Sequence, residues 1–121
     1  MTEKKTWNAQ ITKASLTMES HCCLTMYLTL QGSGRGVQFG GHNLGRGYKG
    51  AKTFTGSAKG TEYIMRIMDV VGVSRFEDLE GKYVRVVETD GDSVVKEIGN
   101  IVANKWFNVE DFYRKEDEKH D

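Results

Sequence analysis

The residues able to do chemistry gather in one stretch of the chain. Between Ser20 and Thr61 there is no Asp or Glu, yet Arg35, Arg46, Lys49, Lys52 and Lys59 all fall there. A cationic run with no acid inside it is suited to hold an anion. Ten of the 14 glycines lie between Gly32 and Gly60. Glycine lets a backbone approach a ligand closely and turn its amides toward a phosphate. Arg35, Arg46, Lys49 and Lys52 are therefore expected to take phosphate oxygens, arginine being the better bidentate partner. Gln38, His42 and Asn43 offer hydrogen bonds to a ribose or a base, and Tyr48 offers a ring for stacking. A structural reading stands beside this one. The cations form a solvated face that meets the acidic half, the glycines serve bulges in a curved sheet, and the aromatics, Phe39 first, are core.

Other chemistry fares worse. Gly45-Arg46-Gly47-Tyr48-Lys49-Gly50 matches the spacing G-x-G-x-x-G, but Ala51-Lys52-Thr53-Phe54-Thr55-Gly56 follows, a poor helix start, so the dinucleotide fingerprint is not expected. The phosphate loop of nucleoside triphosphatases needs a lysine after its last glycine, and Ala51 stands there. His21, Cys22, Cys23 and His42 fit no usual zinc spacing. Glu62 and Asp69 lie about two helical turns apart, too far to work as a carboxylate pair. His42 is the one candidate for a general base, which is thin support for an enzyme. The expectation is no catalytic residue, no metal and no cofactor.

The whole chain sets the frame. Its 121 residues, 38% of them apolar and 28% charged, predict a single domain over 1–121 with a core of its own. No apolar run approaches the roughly 20 residues of a membrane span, and residues 1–7 carry no secretory pattern. The adjacent cysteines are expected to stay unbridged, which predicts a reducing, cytoplasmic setting. Net charge is zero, yet residues 1–60 carry +6 and residues 61–121 carry −6. That asymmetry suits contacts between copies, so a homo-oligomer is expected.

Periodicity supplies the elements that must position the cationic stretch. Trp7, Ala9 and Ile11 share one parity and Ala14, Leu16 and Met18 the other, which predicts a strand with a bulge near Thr12-Lys13. Residues 23–30 alternate cleanly, Leu24, Met26, Leu28 and Leu30 against Cys23, Thr25, Tyr27 and Thr29. A third strand is expected over 36–40, with Val37 and Phe39 inward, followed by an irregular glycine-rich segment over 41–56. Ser57 or Thr61 caps a helix that runs to Val71, buries Ile64, Ile67, Met68 and Val71, and ends on a left-handed Gly72. Ser74 to Glu77 reads as a capping box. A strand over 82–89, a turn at Asp90-Gly91 and a return strand over 94–102 come next. Asn108 caps a last helix, with Phe107 and Phe112 as its staple, and residues 114–121 are expected to fray. The fold class is α+β, a βββ-α-ββ-α chain with an antiparallel sheet of about five strands and one long helix across it.

Four stretches carry a resemblance. Residues 24–28 leading to Gly34-Arg35-Gly36-Val37-Gln38-Phe39-Gly40-Gly41, residues 60–68 with Val71-Gly72-Val73, residues 78–85, and residues 98–101 to 105–107 resemble small proteins encoded by phages and prophages. Small phage proteins without catalytic motifs include sponges that counter host defence, such as the Sequestin and Lockin families, which bind ADP-ribose-derived Thoeris signals. The resemblance implies a host-cytoplasmic protein that sequesters a nucleotide immune signal, ADP-ribose-derived or a cyclic oligonucleotide of the CBASS kind, without cleaving it. It carries no binding residue over to this chain. Two alternatives stay open: a single-stranded nucleic-acid-binding accessory protein of phage replication or recombination, and a protein inhibitor of a host defence nuclease that uses the acidic half.

Overall fold

The computed structural model describes residues 5–18, 23–47, 52–88 and 94–119. Three long strands come first: β1 (Thr6–Met18), β2 (Cys23–Gly32) and β3 (Arg35–Arg46). A short β4 (Thr55–Gly56) leads into helix α1 (Ala58–Val71) and a 3-10 turn, Phe76–Leu79. Strands β5 (Tyr83–Val87), β6 (Val94–Val95), β7 (Glu97–Asn100) and β8 (Trp106–Asn108) follow, and helix α2 (Val109–Lys119) ends the described chain.

The pairings close a ring. β1 pairs antiparallel with β2 along one side and with β5 along the other, and β2 pairs antiparallel with β3. β7 pairs antiparallel with β5, while β6, one residue upstream of β7, pairs parallel with β3 through Gln38–Val94 and Phe39–Val95. Five strand positions therefore form a small barrel in the order β1, β2, β3, β6–β7, β5, with β4 and β8 as additions. A barrel this small is filled by its own side chains. Ile11, Met26, Leu28, Leu30, Phe39, Val84, Val86 and Ile98 fill it at 0% exposure.

Local sequence explains how β1 serves two neighbours. The register shifts between Ile11 and Lys13, so the extra residue turns the strand and changes which parity faces inward. Before the bulge Ala9 and Ile11 are buried, and after it Ala14 packs against the core. β3 coils by the same means, with register shifts opposite Leu24/Thr25 and Met26/Tyr27. Gly40 (φ +107) and Gly41 (φ +90) take left-handed backbone at the second shift, a conformation in which a side chain is strained.

Helix α1 packs across β3, β7 and β8. Ser57 accepts a hydrogen bond from the Gly60 N–H at 2.9 Å, and Gly72 (φ +93) donates its N–H to the Met68 carbonyl. The buried line runs through Gly60, Tyr63, Ile67 and Val70. The Tyr63 phenol donates to the Met26 carbonyl at 3.4 Å. Asn108 caps α2 through the Asp111 N–H at 3.0 Å, and Phe107 meets Phe112 edge-on with centroids 5.3 Å apart.

Several expectations need correction. Among the described residues eight strands form, not five, and the sheet is not purely antiparallel. The third strand runs on to Arg46, because bulges let it pair with β2 where alternation is lost, so residues 41–46 are strand rather than irregular. The helix face is centred on Tyr63 and Val70, with Ile64, Met68 and Val71 at its margins, because the barrel end and β8 flank it. Ser74 makes no capping box. Arg75 stands at the cap position, and its side chain bonds Asp78 rather than capping a backbone N–H. The return strand is split at Lys96, and Ile101 and Val102 lie outside it, since β6 turns from β5 to reach β3. Residues 114–119 are helical rather than frayed. Cys23 is a disulfide-bonded cysteine, which removes the ground for a reducing compartment; Cys22 lies outside the described residues. So do the turn expected at 19–22 and the one at Asp90-Gly91. Among the described residues no helix is long and apolar enough to cross a membrane.

Gly60→Ala tests the helix-to-barrel contact. On an exposed helix that change would stabilise by about 1 kcal/mol. Here a Cβ would stand 2.6 Å from the Leu44 Cα, and the crowding is expected to win, for a net loss of about 1–3 kcal/mol. A urea midpoint equal to or above that of the unaltered protein would contradict this packing.

Candidate functional site

The outer face of β1, β2 and β3 is laid out in rows by strand register. Gln10, Gln31 and Gly36 form one row, and Lys13, Thr29 and Gln38 the next. Ser15, Tyr27 and Gly40 form the third, with Gly41 as the bulged residue, and Thr17, Thr25 and Asn43 the fourth. Beyond them Cys23 stands opposite Arg46. Successive rows are about 7 Å apart, two residues along a strand. The rows hold no carboxylate. They hold amides, hydroxyls, two cations and one aromatic ring.

That ring is Tyr27. It is half-buried, and a Cβ at Gly41 would lie 3.3 Å from its Cδ1 and 3.6 Å from its Cε1. The ring thus leans over backbone that carries no side chain. The hydroxyls around it are tied into the sheet: Thr25 donates to the Thr17 carbonyl at 3.4 Å, and Thr12 donates to the Thr29 carbonyl at 3.3 Å. Two shallow depressions flank the rows. One, of about 270 Å³, is lined by Thr29, Gly36, Val37 and Gln38. The other, of about 460 Å³, is lined by Gln10, Thr12, Gln31, Gly32, Gly34 and Arg35.

The residues expected to bind anions do not converge on one point. Arg35 and Arg46 begin and end β3, about 36 Å apart along the strand. Arg35 is engaged at the surface by the chain itself, in an ion pair with Glu88 at 2.7 Å and over the Trp7 ring at 4.8 Å. That pair joins the basic half of the chain to the acidic half. Gln38 lies exposed in the second row. Asn43 lies in the fourth, its Oδ1 accepting the Gly45 N–H at 2.8 Å. Arg46 and Lys52 are exposed at the far end. Tyr48 and Lys49 lie outside the described residues.

His42 goes elsewhere. It pairs with Met26 and so faces inward, where it stacks on Tyr113 (4.9 Å, 8°) and meets Tyr63 edge-on at 5.8 Å. Its Nδ1 is buried with no hydrogen-bond partner among the described residues. Burial lowers its pKa from 6.5, against a smaller opposing pull from Glu110. Burial also raises the Tyr63 phenol, with the neighbouring Tyr113 adding to the effect. Among the described residues no three His, Cys, Asp or Glu gather as a metal site.

Reading for cations alone passes over Tyr27 and Lys13. The signal for both was present. Alternation in residues 23–30 puts Tyr27 on the polar face, and the bulge at Thr12-Lys13 turns Lys13 outward.

A pH experiment tests the placement of His42. The unfolded chain takes up a proton near pH 6.5, while the folded chain resists it to lower pH. Stability is therefore complete above pH 6.5 and is lost as pH falls toward the depressed folded value. His42→Phe, which keeps the ring, is expected to remove that part of the decline in unfolding midpoint between pH 7.5 and 5.5. An unchanged pH slope would put His42 in solvent. In comparison with known proteins, the chain matches no family model, no curated protein and no solved structure.

Proposed function

We propose that this protein binds single-stranded nucleic acid along the outer face of β1–β2–β3, without catalysis. The observation that carries the reading is Tyr27, its ring set over the bare Gly41 backbone in a face of amides, hydroxyls, Lys13 and Arg46 with no acid among its rows. Stacking gives affinity that tolerates sequence, and the cations follow a phosphate backbone. Fold-level analogy points the same way. A closed five-stranded barrel with a helix between its third and fourth positions is the architecture of oligonucleotide- and oligosaccharide-binding barrels, whose second and third strands present the ligand face. The open row layout favours an extended strand over a compact nucleotide signal, since Arg35 and Arg46 are too far apart to clamp one pyrophosphate. Such a protein suits an accessory role in replication or recombination, phage-borne ones included.

Fluorescence anisotropy with a labelled single-stranded DNA tests the reading. Binding is expected to weaken steeply with salt, and Lys13→Gln and Arg46→Gln are each expected to lower the log–log salt slope by about 0.7. Tyr27→Ala is expected to cost about 1–3 kcal/mol of affinity while the protein stays folded. Absence of binding at low salt, or full affinity in Tyr27→Ala, would refute the proposal.

A further inference from the structure

We propose that the outer face reads one base beside Tyr27, and that this base is adenine, held between the amides of Gln31 and Gln38. The inference rests on the outer face being a single-strand interface and adds to it a base preference at one position.

Strand register places the two glutamines. Gln31 stands opposite Gly36, and Thr29 stands opposite Gln38. The four positions make a rectangle on the outer face of β2 and β3, with the glutamines on one diagonal. Diagonal neighbours in an antiparallel pair lie about 7–8 Å apart, within reach of long side chains. The other diagonal is low, because Gly36 has no side chain and Thr29 a short one. A depression of about 270 Å³ opens there, lined by Thr29, Gly36, Val37 and Gln38. The Gln31 amide leans over its edge, with Nε2 3.3 Å from where a Gly36 Cβ would stand. Tyr27 lies one row farther on, about 7 Å from Thr29 along the strand.

These two amides are open to a ligand, while others on the same face are used by the fold. Gln10 donates to the Gly81 carbonyl at 3.2 Å, and Asn43 accepts the Gly45 N–H at 2.8 Å. Gln31 and Gln38 are exposed and make no hydrogen bond among the described residues. Each amide offers a donor beside an acceptor and carries no charge. A base satisfies both amides when two of its edges each present a donor beside an acceptor. Adenine does so. Its N6 amino group has one hydrogen beside N7 and one beside N1, so each amide takes a hydrogen and gives one to a ring nitrogen. Glutamine set bidentately on adenine is a general mode of base reading. Cytosine has one such edge, and thymine has a single N–H to share between two amides. Guanine shows two acceptors at O6 and N7, which leaves an amide carbonyl unpaired.

Fluorescence anisotropy on the full chain tests the site with an oligothymidine of about twelve nucleotides and the same strand carrying one central adenine. The adenine strand is expected to bind roughly ten- to a hundredfold more tightly. A central 7-deazaadenine, which lacks the N7 acceptor, is expected to lose most of that gain. Gln31→Leu and Gln38→Leu are each expected to lose it too, with affinity for oligothymidine unchanged. Both side chains are exposed, so an unchanged melting temperature separates this loss from unfolding. Equal binding of the two strands, a stronger preference for a central guanine or cytosine, or an adenine preference kept in both leucine variants overturns the adenine site. The interface at Tyr27 still stands in those cases if Tyr27→Ala weakens binding of oligothymidine. If the unaltered protein binds neither strand, the interface reading falls as well.

Discussion

The structure depends on one short contact, the parallel pairing of Gln38 and Phe39 with Val94 and Val95. Without it β3 would be an open edge and the sheet a twisted ribbon with its apolar face in water. With it the ribbon becomes a ring, and Ile11, Leu28, Phe39, Val86 and Ile98 share one interior from which water is excluded. Two residue pairs cannot supply much energy as hydrogen bonds. Their effect is to bring together apolar surfaces worth far more when buried. The break at Lys96 lets one segment of chain serve β3 through β6 and β5 through β7.

Closure also makes the two sides of β3 unlike. Phe39 points into the ring at 0% exposure and meets Phe107 edge-on. Gln38, beside it, points outward. Gly40 and Gly41 let the strand bend around the barrel; the missing side chain at Gly41 leaves room for the Tyr27 ring outside, and the one at Gly40 for the Tyr63 hydroxyl inside. The glycines of this segment therefore act in both ways weighed from sequence: they bend a curved sheet, and they clear its outer surface. Bending comes first, because the positive φ values are required by the path of the strand whether or not anything binds.

The last helix shows how the acidic half is used. Phe112 packs on Phe107, with Lys59 4.0 Å and Arg66 5.7 Å from its ring centroid, while Tyr113 stacks on His42. Lys96 and Glu110 pair at 3.0 Å. These contacts hold α2 over the end of the barrel, on the side away from the outer rows. The charge asymmetry of the chain is met in part within the fold, at Arg35–Glu88, and in part left open at Arg46 and Lys52.

Local signals were strong wherever a residue's neighbours along the chain decide its state. The bulge at Thr12-Lys13, the alternation in β2, a helix cap at Ser57 or Thr61, the left-handed Gly72 and the Asn108 cap with its phenylalanine staple could all be read from spacing, and the structure decides for Ser57. Each depends on contacts within a few residues or on a periodicity of two or 3.6. What sequence could not decide was which strands meet. Ring closure joins residues 38–39 to 94–95, and nothing near either end announces the other. The same holds for the candidate site. Residue type marked the cations and the glycines, but the separation of Arg35 from Arg46, the inward turn of His42 and the row that sets Tyr27 beside Gly41 follow from register, which exists only once distant strands have paired.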